Sequence, residues 1–487
     1  MGHGQRLFFT HLILAIAASK VAAPALGFVP EVRWGLTASG PAGEMGDLIT
    51  LTWSIVPDGT VIQGEGPSNF IQFLDGLFGA GDSAGSDLSQ RPWFSLISAP
   101  FDRWSELSGM TFVYEPHDDG SVHGSADGLL GVRGDVRVGG ADIDGTGGTL
   151  AYIYFPSNSD LVIDTADAAL FRNRTLDHRA LRNAVMHELG HGFGLAHVAS
   201  SSDALLMEPA INITFDGPQL DDIRGIHAYY GDALERSGGT LRNDTPLTAT
   251  DLGLLYSGAT RSIGADAAPD PVVDPSDVDF VSIANHLDSD FFSFEVNWPM
   301  SLNAVLMPRG GSFSQGIPGG QQSQVNASAD NDLRMTVFDS DGVTVLASAD
   351  DAAAGEPEVL AGVYLPTAGQ YFVQVTGSSD AVQLYQLDLS LMAARLHVPG
   401  DYNGDGIVDA ADYVVWRKSL AEIGLGLAAD VNQDSIVDGA DYGAWRRNYG
   451  LIAADGTSPS VPEPAALQLA AIVLLTLGRL GRRSERV

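Results

Sequence analysis

Cysteine is absent from all 487 residues, so no disulfide staples this chain and no thiolate can hold a metal or attack a substrate. Basic residues are scarce: 26 Lys and Arg stand against 61 Asp and Glu, a formal net charge of −35. That balance disfavours nucleic acid and anionic membrane surfaces, which would repel such a chain, and suits oxygen-rich calcium sites. The missing cysteine leaves the compartment open, because an exported protein can do without disulfides. The length exceeds what one hydrophobic core accommodates and suggests about three domains.

Against these absences stands one dense constellation, His187-Glu188-Leu189-Gly190-His191-Gly192-Phe193-Gly194-Leu195-Ala196-His197. Residues four apart on a helix share a face, about 6 Å apart along the axis, so His187 and His191 can grip one metal ion. His197 would lie roughly 9 Å beyond His191 if the helix ran on. Gly194, free to take the positive φ that ends a helix, turns the chain back. Three imidazoles leave a fourth zinc position open to water, and Glu188 is a non-ligand carboxylate placed to handle that water's protons. A structural zinc takes four protein ligands, commonly with cysteine, and has no use for Glu188.

The motif resembles that of the metzincin metalloproteases, in which a methionine turn follows the third histidine. Ala204-Leu205-Leu206-Met207-Glu208-Pro209 supplies the methionine. The resemblance implies that Met207 floors the imidazoles and that Leu206 and Pro209 help wall the pocket for the side chain after the scissile bond. Flanking segments narrow the likeness to the matrixin branch. Ile49 to Ile55 is similar to its first strand, Phe101 to Phe112 to its first helix running into a second strand, and Asp135 to Val138 to another strand. Asp144 to Pro156 is similar to the glycine loop and edge strand, and Leu220 to Gly231 to the closing helix. The likeness covers roughly residues 45 to 232. It implies an α+β fold and peptide-bond hydrolysis, with one zinc on His187, His191 and His197 and Glu188 as general base. Thr149, Leu150, Ala151 and Tyr152 would hold the substrate backbone, since an edge strand has N–H and C=O groups to offer.

The departures are specific. Tyr152 and Val162 stand where matrixins place histidines for a second zinc, so no structural zinc is expected. Asp144, Asp164 and Asp167 align as a calcium clamp, although solvated surface acids read equally well. Glu208 replaces the tyrosine usual after the methionine. Without cysteine, latency by a cysteine switch is excluded.

At the N-terminus, Arg6 precedes an apolar run from Leu7 to Ala18 and small residues suited to cleavage, the pattern of a secretory signal over 1–25. The protease-like domain follows over 30–235. Residues 88–101 join its helical pattern, and 76–89 read as a loop. Residues 236–395 alternate in short runs, clearest at Asp290 to Val296, Leu333 to Asp339 and Gly369 to Val375, which predicts an all-β sandwich. This region resembles the pre-peptidase C-terminal type of domain, and Gly310 to Asp330 reads as a long flexible loop. No catalytic set is visible in it, so it reads as a spacer or substrate-adhesion module.

An acidic loop then occurs twice within 398–450. Asp401, Asn403, Asp405, Asp409 and Asp412 occupy the side-chain ligand positions of an EF-hand-like loop, with Gly406 at the turn and Ile407 offering its carbonyl. Asp430, Asn432, Asp434, Asp438 and Asp441 repeat it, with Ile436 as the carbonyl donor and Ser435 where glycine is expected. Short helices over 413–420 and 442–449 follow the loops. The pair resembles a type I dockerin, a small α calcium-binding module, which implies two calcium ions and a cohesin-like partner. Over 461–487, Val461-Pro462-Glu463-Pro464, an apolar run to Leu480 and a cluster of arginines resemble a PEP-CTERM sorting tail, implying exosortase-type processing. As a helix the run spans about 24 Å, short of a roughly 30 Å hydrocarbon core. The chain thus reads as a multi-domain zinc endopeptidase exported to the envelope or exterior. The reading that competes from another class is a surface adhesion or scaffold protein with an inactive protease-like head.

Overall fold

A computed structural model describes residues 28–452, apart from 82–84, 175, 201–203, 240–241, 268–271, 394–397, 404, 425–426 and 433. The signal segment and the sorting tail expected at the two ends lie outside the described residues. The chain divides into two compact units, Met1–Met392 and Ala393–Val487.

The first lobe of the larger unit is built on a five-stranded sheet. Its strands are β1 (Ile49–Ile55), β2 (Met110–Tyr114), β3 (Val136–Ala141), β4 (Ala151–Ile153) and β5 (Leu161–Asp164). They lie in the order β2-β1-β3-β5-β4; all neighbours are parallel except β4, which runs antiparallel along the edge. β3 and β5 are buried at every position, as strands covered on both faces must be. Four helices of nine residues or more accompany the sheet among the described residues: α1 (Phe70–Phe78), α2 (Phe94–Glu106), α3 (Arg179–Gly192) and α4 (Leu220–Tyr230). α1 has no counterpart in the sequence reading, and α2 begins where only a helical tendency is legible. α3 buries 11 of its 14 residues, so it is a core helix rather than an amphipathic one. Trp104 of α2 donates from Nε1 to the Met186 carbonyl at 3.0 Å, locking α2 against α3.

The second lobe is a sandwich of two five-stranded sheets. One orders Thr260–Ile263, Gln383–Ala393, Met300–Arg309 and Glu358–Leu365, with Val281–Ile283 beside the second of these. The other orders Val345–Ala349, Leu333–Phe338, Gly369–Gly377, Ser289–Val296 and Thr250–Leu254. Burial alternates from Met300 to Leu306, the period that puts one face of a strand into the core.

The sandwich departs from expectation in one segment. Residues 310–330 are not a flexible loop: Ser312–Gly316 and Ser323–Asn326 form a hairpin, and the first of them pairs with Ala199–Ser200 of the first lobe. Leu107 and Ile223 of the first lobe share an apolar cluster with Val273, Phe280 and Leu384.

Among its described residues the smaller unit contains two helices, Ala410–Ser419 and Gly439–Asn448. Each begins three residues before the expected start, because Asp409 and Asp438 act as N-caps in capping boxes completed by Asp412 and Asp441. The duplication is visible in the packing. Trp416 donates to the Asp438 carbonyl at 2.8 Å, and Trp445 to the Asp409 carbonyl at 2.7 Å.

Candidate active site

α3 presents His187 and His191 one turn apart, and the helix stops at Phe193. Gly194 follows with φ +109°, and a Cβ there would sit 2.3 Å from the Val32 carbonyl oxygen, so both backbone conformation and space demand glycine. The reversal carries His197 back over the helix end. One ring nitrogen from each of His187, His191 and His197 lies within 4.8 Å of the others, and His187 Nε2 faces His197 Nε2 at 3.1 Å.

The rings are aimed by the backbone. His187 Nδ1 lies 2.6 Å from the Leu206 carbonyl, and His191 Nδ1 lies 2.6 Å from the Leu195 carbonyl. A carbonyl only accepts, so each Nδ1 carries the proton and each Nε2 keeps its lone pair for the shared focus. Burial pushes His187 down to about 4 and His191 to about 3, and lowers His197 as well. All three are therefore neutral at pH 7, the form that ligates a metal. The Nε2 lone pairs of His187 and His191, converging with a ring nitrogen of His197, fit a zinc ion. Glu188 adjoins His187 on α3, and burial alone pushes its carboxyl up to about 8.

The methionine turn is packed into the same framework. Met207 is buried, and a Cβ on Gly190 would meet its Sδ at 2.4 Å, so the missing side chain at 190 lets Met207 rise against α3. Leu206 is buried too, and its carbonyl is the group that orients His187. Sequence reasoning misses the residue that holds this turn. Asp222, on the first turn of α4, accepts from Leu206 N at 2.8 Å, Met207 N at 3.2 Å and Gln219 N at 2.8 Å. Burial raises its carboxyl to about 7 against the pull of these donors. Only the acidic first turn of a capped helix could have flagged it. Glu208 is also buried and accepts from Ser200 N at 2.7 Å, so it braces the loop between His197 and the turn.

The sandwich hairpin reaches this loop. Gln315 pairs with Ser200 and donates from Nε2 to Asp221 at 2.6 Å. Arg224 joins Asp221 at 2.6 Å and also bonds Asp330 of the second lobe.

The other expected site residues are placed less uniformly. Ala151 and Tyr152 lie on edge strand β4, whereas Thr149 and Leu150 precede it. The Thr149 N–H is taken by Asp144 Oδ2 at 3.1 Å, and the Leu150 carbonyl accepts from Asp164 N at 2.9 Å. Pro209 is exposed beyond the turn. Tyr152 pairs with Val162 across β4 and β5, beside an apolar cluster of Ile62, Ala141 and Val162. Asp144 accepts from Thr149 N, Asp164 from Ala166 N and Asp144 N, and Asp167 Oδ1 from Gly147 N of the glycine loop, with Asp167 Oδ2 left unpartnered. Among the described residues, ligand atoms of three or more His, Asp or Glu lie within 4.8 Å of one another at two places only, the three imidazoles and Glu235, Asp288 and Asp290. The three loop acids are therefore not drawn together.

In the smaller unit the loop carboxylates also turn onto loop amides. Asp401 accepts from Asp405 N and Gly406 N, Asp405 from Asn403 Nδ2 and Ile407 N, and Asp412 from Asn403 N and Asp409 N. The second loop repeats this through Asp430 to Asp434 N and Ser435 N, Asp434 to Asn432 Nδ2 and Ile436 N, and Asp441 to Asp438 N. Ser435 takes φ +67° where Gly406 takes +86°.

Among curated proteins, the chain is 34% identical over 156 residues to the hatching enzyme of Paracentrotus lividus, covering 30% of this chain and 24% of that one. It is 30% identical over 155 residues to human Matrix metalloproteinase-15, covering 28% and 22%. Over 164 residues it is 28% identical to Metalloendoproteinase 1-MMP of Arabidopsis thaliana, covering 31% and 43%. The chain thus spans about a quarter of the first two relatives and less than half of the third. The solved pre-peptidase C-terminal domain of a Bacillus anthracis collagenase aligns at 11% identity over 29% of this chain and 93% of that one, with a TM-score of 0.16, too low to carry an argument. Residues 82–231 match the Matrixin family model and residues 399–447 that of the Dockerin type I domain, so the chain carries a matrixin domain and a dockerin module.

Proposed function

We propose that this chain is a zinc metalloendopeptidase that hydrolyses peptide bonds in extracellular proteins. The observation that carries the reading is the convergence of three neutral imidazoles, from His187, His191 and His197, with Glu188 next to His187 on α3. Zinc held by the three Nε2 atoms would polarise a water molecule and the scissile carbonyl. The zinc charge would draw the Glu188 carboxyl, raised to about 8 by burial, back to its ionised form, so that it takes the proton from the attacking water and returns it to the leaving amine. Leu206 and Leu195 keep the imidazole tautomers fixed through their carbonyls. The free edge of β4, at Ala151 and Tyr152, receives the substrate main chain as an added strand, and Leu206 and Pro209 bound the pocket beyond the cleaved bond.

The remaining parts serve placement. The two acidic loops bind calcium, Asp401 to Asp412 and Asp430 to Asp441, and present the dockerin module to a cohesin-like partner. Export by the signal segment and exosortase-type processing of the tail put the enzyme at the envelope or outside it.

The test is cleavage of casein by the purified full chain, with zinc counted in parallel. Activity is expected to disappear with 1,10-phenanthroline and return with zinc. Glu188→Gln should lower kcat by about 10²–10⁴-fold while one zinc per chain remains. A chain that carries its zinc and cuts nothing would sink the proposal and restore the adhesion or scaffold reading.

A further inference from the structure

Two of the three imidazoles are placed twice over, and the third is not. His187 and His191 stand on α3, and the Leu206 and Leu195 carbonyls aim them. His197 lies beyond the helix, and among the described residues no backbone carbonyl meets its ring, which faces His187 at 3.1 Å. Its position therefore depends on how the chain on either side is held. Before it, Ala196 N donates to the Val29 carbonyl at 2.8 Å; after it, Val198 N donates to the Met207 carbonyl at 3.0 Å. The next residues, Ala199–Ser200, form a short strand. Ser200 gives its N–H to Glu208, beside the methionine, and pairs with Gln315 of the sandwich hairpin.

That hairpin is rooted in the sandwich core. Its stem leaves at Arg309 and returns at Ala327, and the fully buried Gln383, on the sandwich strand Gln383–Ala393, donates from Nε2 to both carbonyls, at 2.8 and 3.0 Å. Gly310 permits the close crossing: its φ is +150°, and a Cβ there would lie 2.4 Å from the Ala327 carbonyl carbon. At the other end Gln315 is buried, and its Nε2 reaches Asp221 Oδ2 at 2.6 Å. Asp221 precedes Asp222, the residue that clasps the Leu206 and Met207 amides. Arg224 completes the tie, bonding Asp221 at 2.6 Å and also Asp330, whose N–H is taken by Gln383 Oε1 at 3.0 Å. One buried amide thus roots the hairpin, and a second delivers it to the loop that follows the third imidazole.

A buried carboxylate such as Asp221 is tolerated only where donors meet it, and Gln315 and Arg224 are the side chains that do so. The sandwich supplies the first and holds the second through Asp330. We propose that the sandwich hairpin is a positioning part of the imidazole centre: through Ser200 and Asp221, Gln315 fixes where His197 and the methionine turn sit. The inference rests on the reading of the three imidazoles as a zinc site. Gln315 touches neither metal nor substrate; it acts through the backbone after His197 and through the first turn of α4. Detaching it leaves His187 and His191 aimed and loosens the one ligand that no carbonyl holds. Metal affinity then falls although the first lobe stays folded.

The deciding experiment is the zinc affinity of the full-length chain, measured by competition with a chromophoric chelator, together with the visible absorption of the cobalt-substituted protein, which reports ligand geometry. Gln315→Leu should weaken zinc about tenfold or more, shift the cobalt bands and lower kcat on casein with KM little changed. Val373→Ala, in the core of the other sandwich sheet, should lower the unfolding midpoint yet leave zinc affinity and cobalt spectrum as in the parent. The inference is overturned if Gln315→Leu, folded by circular dichroism, holds zinc as tightly as the parent with an unchanged cobalt spectrum. It is overturned equally if Val373→Ala loosens zinc as much, because the effect is then one of general stability. Should Gln315→Leu fail to fold, Asp330→Asn decides: weaker zinc supports the inference, and unchanged affinity overturns it. Neither readout needs turnover, so a zinc-loaded parent that cuts no casein sinks the endopeptidase reading alone, whereas a parent that binds no zinc sinks both.

Discussion

The three imidazoles and the carboxylates of Glu235, Asp288 and Asp290 are both buried sets of ionisable groups, yet they are organised in opposite ways. At the imidazoles, burial favours the neutral form, and the Leu206 and Leu195 carbonyls point the rings inward before any ion arrives. At the acids, burial works against the ionised form, and Glu235 is left with no donor at all. A cluster of neutral donors can be preorganised at little cost in stability; a cluster of acids depends on the charge brought to it. Loss of metal at the imidazoles should therefore read out as lost activity rather than lost stability.

The sharpest break of this contrast is His191→Ala. Casein cleavage should fall to background and zinc content to near zero, while the unfolding midpoint changes little; a large loss of stability would mean that the imidazoles are not preorganised without their ion. Next in size is Asp222→Ala, which strips the acceptor from the Leu206, Met207 and Gln219 amides. Leaving these donors buried should cost about 3 kcal/mol in urea unfolding. Because the Leu206 carbonyl aims His187, zinc affinity should drop about 10–100-fold as well.

A third measurement uses a buried imidazole that meets no metal. His227 contacts the Leu107 carbonyl at 2.6 Å and Ser282 Oγ at 3.0 Å, and burial lowers it from 6.5 to about 4. As pH falls, the unfolded chain takes this proton first. Stability is thus unaffected above pH 6.5 and declines down to about 4, by about 3 kcal/mol in total. The difference in urea midpoint between the parent chain and His227→Gln, at neutral and mildly acid pH, isolates this contribution from the buried acids, whose raised values act with the opposite sign. The smallest effect concerns the two calcium loops. Ser435 holds a left-handed φ that costs a non-glycine residue about 1 kcal/mol. Ser435→Gly should tighten calcium at the second loop about fivefold by calorimetry and leave the first loop unchanged.

Much of this is legible in the sequence because it depends on short-range periodicity. The spacing of His187 and His191, the glycine at 194 and the repeat of Asp401 to Asp412 at Asp430 to Asp441 state their geometry in one dimension. So do β1, whose run from Ile49 to Ile55 needs only alternation, and α4. The helix α1 escapes notice because a Gly-, Ser- and Asp-rich stretch follows it closely. The hairpin over 312–326 is misleading because Gly, Gln and Ser suggest flexibility, while its strand partner, Ala199–Ser200, lies in a different lobe. Asp409 and Asp438 are legible as acidic loop positions but not as helix caps, since one residue serves both patterns.

By itself the sequence determined the donor types: nitrogen at 187, 191 and 197, oxygen in the tandem loops, and no sulfur thiolate anywhere. It determined helix and turn as well, because those follow from neighbours within a few residues. Only the tertiary structure decided which carbonyls aim the imidazoles, that Asp222 clasps the methionine turn, and that Glu235 meets Asp288 and Asp290. Those partners are brought together by burial of apolar surface from distant segments, and a non-directional force of that kind leaves no local spacing to read.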